Sequence, residues 1–286
     1  MILVTGATGQ LGTAVVRQLV RRGNASQVAA LVRNERKAGD LAACGVSIRL
    51  GEYDDTDSLD RAVDGIDRVL LVAGNDPDRV QQHQNVIDAA QRAQVGLIGF
   101  ASRSLRDIQA SENTLMSDYF ETEDRIRRSG LPHLLFRNAL YLDTVPLYVG
   151  GAQVFESGIR LPAGDGRVAY ALRREMGEAL ANAMVDHVGT NRTYVVAASR
   201  AYTFHDVAAA LTEVSGKPVG YTQISDEEYV AGVVQAGVPE HLARRFLGFC
   251  FDIRSDQLDE TSSDLETLLG REPAALEVGL REVFGP

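Results

Sequence analysis

Met1-Ile2-Leu3-Val4-Thr5-Gly6-Ala7-Thr8-Gly9-Gln10-Leu11-Gly12 runs from an apolar strand through a glycine turn into a helix. Gly6 closes the apolar run Met1–Thr5, and Gln10–Arg22 follows with Leu11, Ala14, Val15, Leu19 and Val20 on one helical face. The glycines are spaced G-x-x-G-x-x-G. Gly6 permits the tight turn, Gly9 lets backbone N–H groups approach a pyrophosphate at the helix N-terminus, and Gly12 lets helix and strand pack closely. Thr8, Gln10 and Leu11 complete the expected contact surface. A glycine-rich βα loop without a ligand is the bland alternative; the strand–turn–helix context favours a dinucleotide site.

Outward from this turn, short apolar runs alternate with amphipathic stretches through residue 137. Gln27–Val32, Val46–Leu50, Asp67–Ala73, Val95–Ala101 and His133–Arg137 read as strands. Helices are expected near Glu35–Ala43, over Thr56–Val63, from about Pro77 and over Thr114–Ser129. Strands that are almost wholly apolar, each followed by a helix, imply a parallel sheet buried on both faces, hence an α/β fold with a Rossmann-type doubly wound sheet. After Asn138 the rhythm changes. Residues 139–172 are rich in glycine, proline and turns, and Arg173–Val188 reads as a helix. Arg192–Ala197 reads as a strand that rejoins the sheet, Thr203–Ser215 as a helix and Pro218–Ile224 as a strand. The rest is mostly helical, with a capping-box pattern at Ser225 and Glu228. The expected division is a dinucleotide-binding domain over 1–138 and a smaller, mostly helical substrate lobe over 139–286, set over the carboxyl edge of the sheet.

The composition of the 286-residue chain, with 45% hydrophobic and 24% charged residues, is that of a soluble globular protein. Twenty-nine basic against 39 acidic side chains leave a net charge of −10, which disfavours nucleic acid as a partner. The 2 cysteines, Cys44 and Cys250, form no disulfide framework and no metal-ligand spacing. The histidines show no metal spacing either, and no metal is expected. His83, on the helix after Pro77, reads as structural. No signal peptide is expected, because residues 1–5 already read as a strand, and no apolar run approaches the ~18 residues of a membrane span. A cytoplasmic location without membrane contact follows as the expectation. A homodimer is compatible with the sequence, which does not mark its surface.

The end of strand two selects the dinucleotide. Leu31-Val32-Arg33-Asn34 has no acid where a ribose 2′-hydroxyl would be held, and Arg33 suits a 2′-phosphate. NADP(H) is favoured, with NADH admissible. Glu52-Tyr53-Asp54 falls where an adenine ring would lie, with Asp54 as acceptor for its amino group. Ala73, ending strand four, joins the expected cofactor contacts.

The opening M-I-L-V-T-G-A-T-G-Q-L-G, L-V-R-N at 31–34, Q-H-Q-N-V-I-D-A-A at 82–90, Y-F-E-T-E at 119–123, L-L-F-R-N at 134–138 and A-G-D-G at 163–166 together resemble the NmrA-like atypical short-chain dehydrogenases. The branch most resembled is that of quinone oxidoreductases and triphenylmethane dye reductases. The resemblance implies NADPH-dependent reduction of quinones or related conjugated electrophiles, without flavin or metal, with a small-molecule electron acceptor as partner.

Typical short-chain dehydrogenases use a Tyr-x-x-x-Lys pair and a serine. The only lysines are Lys37 and Lys217, preceded four residues earlier by Arg33 and Glu213, so the pair does not exist here. Its place holds Tyr119 with Glu123, and a glutamate does not lower a tyrosine pKa. Ser102, after strand five, stands at the place of the family serine and is a candidate for catalysis and for cofactor contact. Hydride transfer to a quinone needs less help than transfer to a simple ketone, because the charge delocalises; positioning supplies most of the rate. Asn138 and Tyr141 at the end of strand six, and Tyr119, are the remaining candidate catalytic residues. The segment Arg103–Asn113, with Arg103 and Arg106, reads either as a lid over the site or as a merely mobile polar loop, and its two arginines suit either an anionic substrate or a salt-bridged surface, with Glu121 and Glu123 nearby. Two other functions stay open: reduction of an activated C=C or C=N bond, and a non-catalytic NADP(H)-binding redox sensor.

Overall fold

Branched aliphatic side chains set the strands of the first half, and the turns between them leave room for helices on both faces. The computed structural model describes residues 1–23, 25–72, 74, 76–111 and 113–285, without the side chain of Thr114. Ala73, expected among the cofactor contacts, lies outside the described residues. In chain order, β1 (Ile2–Val4), α1 (Gln10–Arg22), β2 (Val28–Val32), α2 (Gly39–Ala43), β3 (Ser47–Leu50), α3 (Thr56–Val63) and β4 (Arg68–Val72) come first. Then follow α4 (Arg79–Arg92), β5 (Leu97–Arg103), α5 (Thr114–Ser129) and β6 (His133–Asn138). The later part holds α6 (Val145–Val149), α7 (Val154–Ser157), β7 (Ile159–Leu161), α8 (Arg173–Asp186), β8 (Arg192–Val196), α9 (Phe204–Ser215) and β9 (Tyr221–Gln223). It ends with α10 (Asp226–Gln235), α11 (Glu240–Arg254), α12 (Asp264–Leu269) and α13 (Leu276–Phe284).

The central sheet has 7 strands in the order β3-β2-β1-β4-β5-β6-β8, every neighbouring pair parallel. This is the doubly wound Rossmann-type α/β sheet expected from the sequence, and β8 extends it beside β6. β7 and β9 form a separate parallel pair. Among the described residues, no helix is long and apolar enough to cross a membrane.

Three local differences have plain causes. The helix expected over 35–43 is a 3₁₀ turn at Glu35–Lys37, capped by the Asn34 side chain accepting from the Arg36 N–H at 2.9 Å, followed by the short α2. Ala38, with φ −105° and ψ 5°, leaves the helical region and separates the two. Helix α4 starts at Arg79 rather than at Pro77, after a turn in which the Asp76 carboxylate accepts from the Asp78 N–H at 3.0 Å. β5 runs to Arg103, past Ala101, because β6 remains paired with it to the register Arg103↔Asn138.

Alternation along the strands sends side chains to two separate cores. Leu97 and Ala101 of β5 join the core under α1 and α8, whereas Ile98 and Phe100 join the core under α3, α4 and α5. Helices α1 and α8 touch through Gly177: a Cβ there would lie 2.6 Å from the Ala14 Cβ and 3.1 Å from the Val15 nitrogen. A third core, with Leu140, Val145, Ile159, Phe204, Leu211, Ile253 and Leu280, unites the C-terminal elements.

The segment read as a lid or a mobile loop is instead strapped to this C-terminal part. Arg106 pairs with Asp259 at 2.6 Å, and the Asp107 N–H donates to Gln257 Oε1 at 2.9 Å. Ser104 donates to Glu260. The Ser111 hydroxyl and Asn113 Nδ2 donate to the buried Asp252 carboxylate at 2.7 and 3.3 Å. Burial pushes the Asp252 pKa up, against these two hydrogen bonds.

The α1–α8 contact yields a stability prediction. Gly177→Leu is expected to cost about 2–3 kcal/mol, as overpacking between two helices does. Urea denaturation followed by circular dichroism measures it.

Candidate active site

The carboxyl edge of the sheet is built around the first turn. Gly6 has φ +56°, and a Cβ on it would lie 2.9 Å from the Val72 carbonyl oxygen. The Gly9 N–H donates to the Gly6 carbonyl at 2.9 Å. The tightest point is Gly12, whose Cβ would come within 2.2 Å of the Gly6 oxygen and 2.8 Å of the Ala7 Cα. Helix α1 therefore starts as close to β1 as two backbones allow. Its N-terminus has Gly9 as cap, with no side-chain cap and no acid in the first turn. The first-turn N–H groups, with the positive end of the helix dipole, remain available to an anion. The Thr5 hydroxyl accepts from the Val72 N–H at 2.9 Å and ties the ends of β1 and β4 together under the turn.

From this turn a cleft of about 760 Å³ runs along the ends of the strands. Gly6, Thr8, Gly9, Gln10, Leu11, Gly12, Arg33 and Asp54 all line it, as do Tyr119 and Tyr141. Arg33 is exposed at the end of β2. Asp54 is held by Gln82, whose Nε2 donates to Oδ2 at 2.9 Å. Tyr53 lines the same end and donates its hydroxyl to the Val72 carbonyl at 3.0 Å; burial pushes its pKa up to about 12, so it is a neutral wall. An uncapped helix start, glycines with no room for a Cβ and an arginine at the far rim fit an extended dinucleotide phosphate.

At the other end of the cleft, two guanidinium groups lie against the ring of Tyr141. Arg103 is 4.4 Å and Arg173 4.5 Å from its ring centroid, and Arg103 also lies 5.5 Å from the Tyr119 ring. Arg173 donates to Gln10 in the glycine turn, and its backbone N–H donates to Asp143 Oδ2 at 2.7 Å. Burial raises the Tyr141 pKa, while the two arginines work in the opposite sense without cancelling it. Burial opposes the charge on Arg103, but the neighbouring phenols of Tyr141 and Tyr119 outweigh it and leave its pKa above the ordinary value.

A second cavity of about 280 Å³ adjoins the first and shares Arg103, Tyr141 and Arg173 with it. Its walls are mainly apolar, with Leu115, Met116, Leu140, Tyr148, Phe246 and Phe249. Asn138 lines this cavity and not the cleft. Its side chain is 1% exposed, and neither Oδ1 nor Nδ2 has a regular hydrogen-bond partner; it lies near enough to the Tyr141 hydroxyl only to favour the phenolate slightly.

Ser102 departs from expectation. Its hydroxyl donates to Glu123 Oε1 at 2.6 Å, and it lines neither cavity. Ser102 follows Ile98 and Phe100 on the α5 face of β5, whereas Ala101 and Arg103 fall on the cleft side. The serine candidate for catalysis and cofactor contact is thereby turned away from both. Its partner Glu123 is fully buried and also accepts from Arg127 and Arg137, each at 2.8 Å to Oε2. Arg103, read from sequence as lid or surface, and Arg173, read only as a helix start, are wall residues that were missed; counting the alternation of β5 one residue pair further would have found Arg103. His83 is buried, with Nδ1 2.8 Å from the Thr122 hydroxyl. Burial, helped by Arg79 and Arg125, holds its pKa down at about 3, and it lines neither cavity. Among the described residues, no group of three or more His, Cys, Asp or Glu could hold a metal.

Known proteins resemble this chain in sequence and fold over most or all of their length. The chain is 33% identical over 287 residues to quinone oxidoreductase 2 of Escherichia coli K12, covering 99% of each protein. It is 30% identical over 245 residues to an NAD(P)H azoreductase of Xenophilus azovorans, covering 85% of this chain and 84% of that one. The crystal structure of the E. coli quinone oxidoreductase with NADPH matches with a TM-score of 0.91 at 32% identity, over 100% of both chains. The triphenylmethane reductase of Citrobacter sp. with NADP(H) matches with a TM-score of 0.92 at 35% identity, over 99% of this chain and 100% of that one. Residues 1–278 match the NmrA-like family, and the chain belongs to that family.

Proposed function

We propose that this NmrA-like protein is an NADPH-dependent reductase that transfers a hydride to quinones or similar conjugated electrophiles. The observation that carries the proposal is the meeting of a long, phosphate-suited cleft and a small apolar cavity at one buried phenol, Tyr141. The relatives that are named quinone, azo and dye reductases support it. In this assignment residues 1–138, with β8, hold the dinucleotide, and residues 139–286 build most of the acceptor pocket.

When bound, NADPH supplies a hydride from its nicotinamide ring. The first-turn N–H groups of α1 would hold the pyrophosphate, and Arg33 would pair with the 2′-phosphate. Tyr53 and Asp54 would hold the adenine, with Asp54 as acceptor for its amino group. A quinone that receives a hydride needs one proton to become the hydroquinone. Tyr141 carries that proton, because burial keeps its phenol neutral through physiological pH. Arg103 and Arg173, both close to the ring, stabilise the phenolate left behind until solvent reprotonates it. Asn138, with an unpartnered buried carboxamide, orients a carbonyl in the adjoining cavity. The leucine and phenylalanine walls exclude water from the reacting carbons.

Anaerobic NADPH oxidation at 340 nm with 1,4-naphthoquinone tests the proposal. Acceptor-dependent turnover supports it, and tight NADP(H) binding with no turnover on quinones or dyes replaces it with the redox-sensor alternative. Tyr141→Phe is expected to lower kcat about 10–100-fold, the lower range for losing a positioned proton donor. The sign of the pKa shift sets the pH profile. An ordinary tyrosine ionises near pH 10, and Tyr141 lies above that value. Its protonated form is the active one, so kcat should show no alkaline decline below about pH 9–10 in the wild type. Arg33→Ser is expected to reduce the NADPH:NADH ratio of kcat/KM about 10–100-fold, the equivalent of a charge-assisted hydrogen bond worth ~1.5–3 kcal/mol. Steady-state kinetics with both cofactors reads the ratio directly.

A further inference from the structure

The two cavities differ in charge. Glu52, Asp54 and Asp76 line the cleft along with its arginines, whereas among the described residues no acid lines the second cavity. That cavity is instead lined by Arg103, Arg173 and Arg245. Arg173 is engaged by Gln10 of the glycine turn and belongs to the cofactor side. Arg103 stands at the junction, against Tyr119 and Tyr141. Arg245 lines the second cavity alone.

Arg245 sits on α11 in a stripe with Leu242, Phe246 and Phe249, the spacing that puts side chains on one helical face. The adjacent Arg244 points elsewhere and has its acid, Glu240, at 2.7 Å. Arg245 forms no ion pair among the described residues. Asp118 senses its charge, but the ion pair of Asp118 is with Arg79, at 3.4 Å. An arginine is thus placed in an apolar stripe, facing a cavity, with no carboxylate in ion-pair contact with it among the described residues. A guanidinium there binds an anion more strongly than one in bulk water, because the apolar walls lower the local dielectric, and its planar fork matches a carboxylate or sulfonate. The cavity, at about 280 Å³, lies just under the ~300 Å³ lower end for drug-sized ligands, so it suits a small ring system.

We propose that the acceptor of this enzyme is an anionic one: a small planar conjugated ring bearing a carboxylate or sulfonate, with the ring between the apolar walls and the acid on Arg245, assisted by Arg103. The assignment rests on the acceptor reading of this cavity and narrows it.

Binding separates it from the redox reading. Calorimetric titration of the NADP⁺-saturated protein with naphthalene-2-carboxylate and with naphthalene-2-carboxamide compares two ligands of one shape that differ in charge. The expected result is a carboxylate at least tenfold tighter than the amide, an advantage lost in Arg245→Gln and partly kept in Arg245→Lys. Thermal unfolding of both variants checks that they are folded. Equal or tighter binding of the amide overturns the proposal, as does failure of the carboxylate to bind, or a carboxylate preference that Arg245→Gln leaves intact. Turnover of 1,4-naphthoquinone and of its 2-sulfonate is measured alongside. Reduction of the neutral quinone without carboxylate preference leaves the reductase standing and removes the anionic acceptor; carboxylate preference with no reduction of either quinone does the reverse.

Discussion

The architecture hangs on one close approach, that of Gly12 to the carbonyl oxygen of Gly6, where a methyl group would have 2.2 Å. Because nothing larger fits, α1 leaves the end of β1 at once and its N-terminal N–H groups open on the cleft rather than on a capping side chain. The position of α1 is then fixed from behind by Gly177 of α8, where a Cβ would lie only 2.6 Å from that of Ala14. α8 begins at Arg173, so the contact that seats α1 also brings a guanidinium to the far end of the cleft. Two glycines on different helices thus link the geometry of the phosphate end to that of the reacting end.

Charge is distributed with the same economy of parts. Glu123, fully buried at the end of the sheet, is neutralised by Arg127 and Arg137 and accepts from Ser102, which locks the ends of β5 and β6 together. Burying a carboxylate is costly unless it is paired and hydrogen-bonded, and here it is both. Next to this closed network, Arg103 has aromatic rings as neighbours in place of carboxylates. One arginine of the edge is structural and the other faces the cavities, although they end adjacent strands.

Most of the sheet was legible because its strands are buried on both faces and carry almost unbroken apolar runs, as in Val28–Val32 and Arg68–Val72. The glycine turn was legible because its spacing has a steric cause. Ser102 was misjudged because strand parity, not position in the chain, decides which side chain meets the cleft, and β5 runs two residues past the apolar stretch that marks it. The segment 35–43 misled because local pattern favoured one helix where the chain makes an Asn34-capped 3₁₀ turn and breaks at Ala38 before α2. Of the second cavity only Asn138 and Tyr141 were legible as site residues. Its walls come from Leu115, Leu140, Tyr148, Phe246 and Leu258, and no periodicity connects residues so far apart. The resemblance to the NmrA-like family reached the fold and the family; it did not reveal Arg173 or Arg245.

The sharing of only Arg103, Tyr141 and Arg173 between the cavities bears on how such a protein diversifies. A change at Leu242, Arg245 or Phe246 on α11 reshapes the acceptor side and leaves the dinucleotide side untouched. New acceptors are therefore accessible by drift in one helix face, while the three shared residues form a hinge of constraint at which every change registers twice. Lineages that part in substrate should differ first along α11 and last at Tyr141.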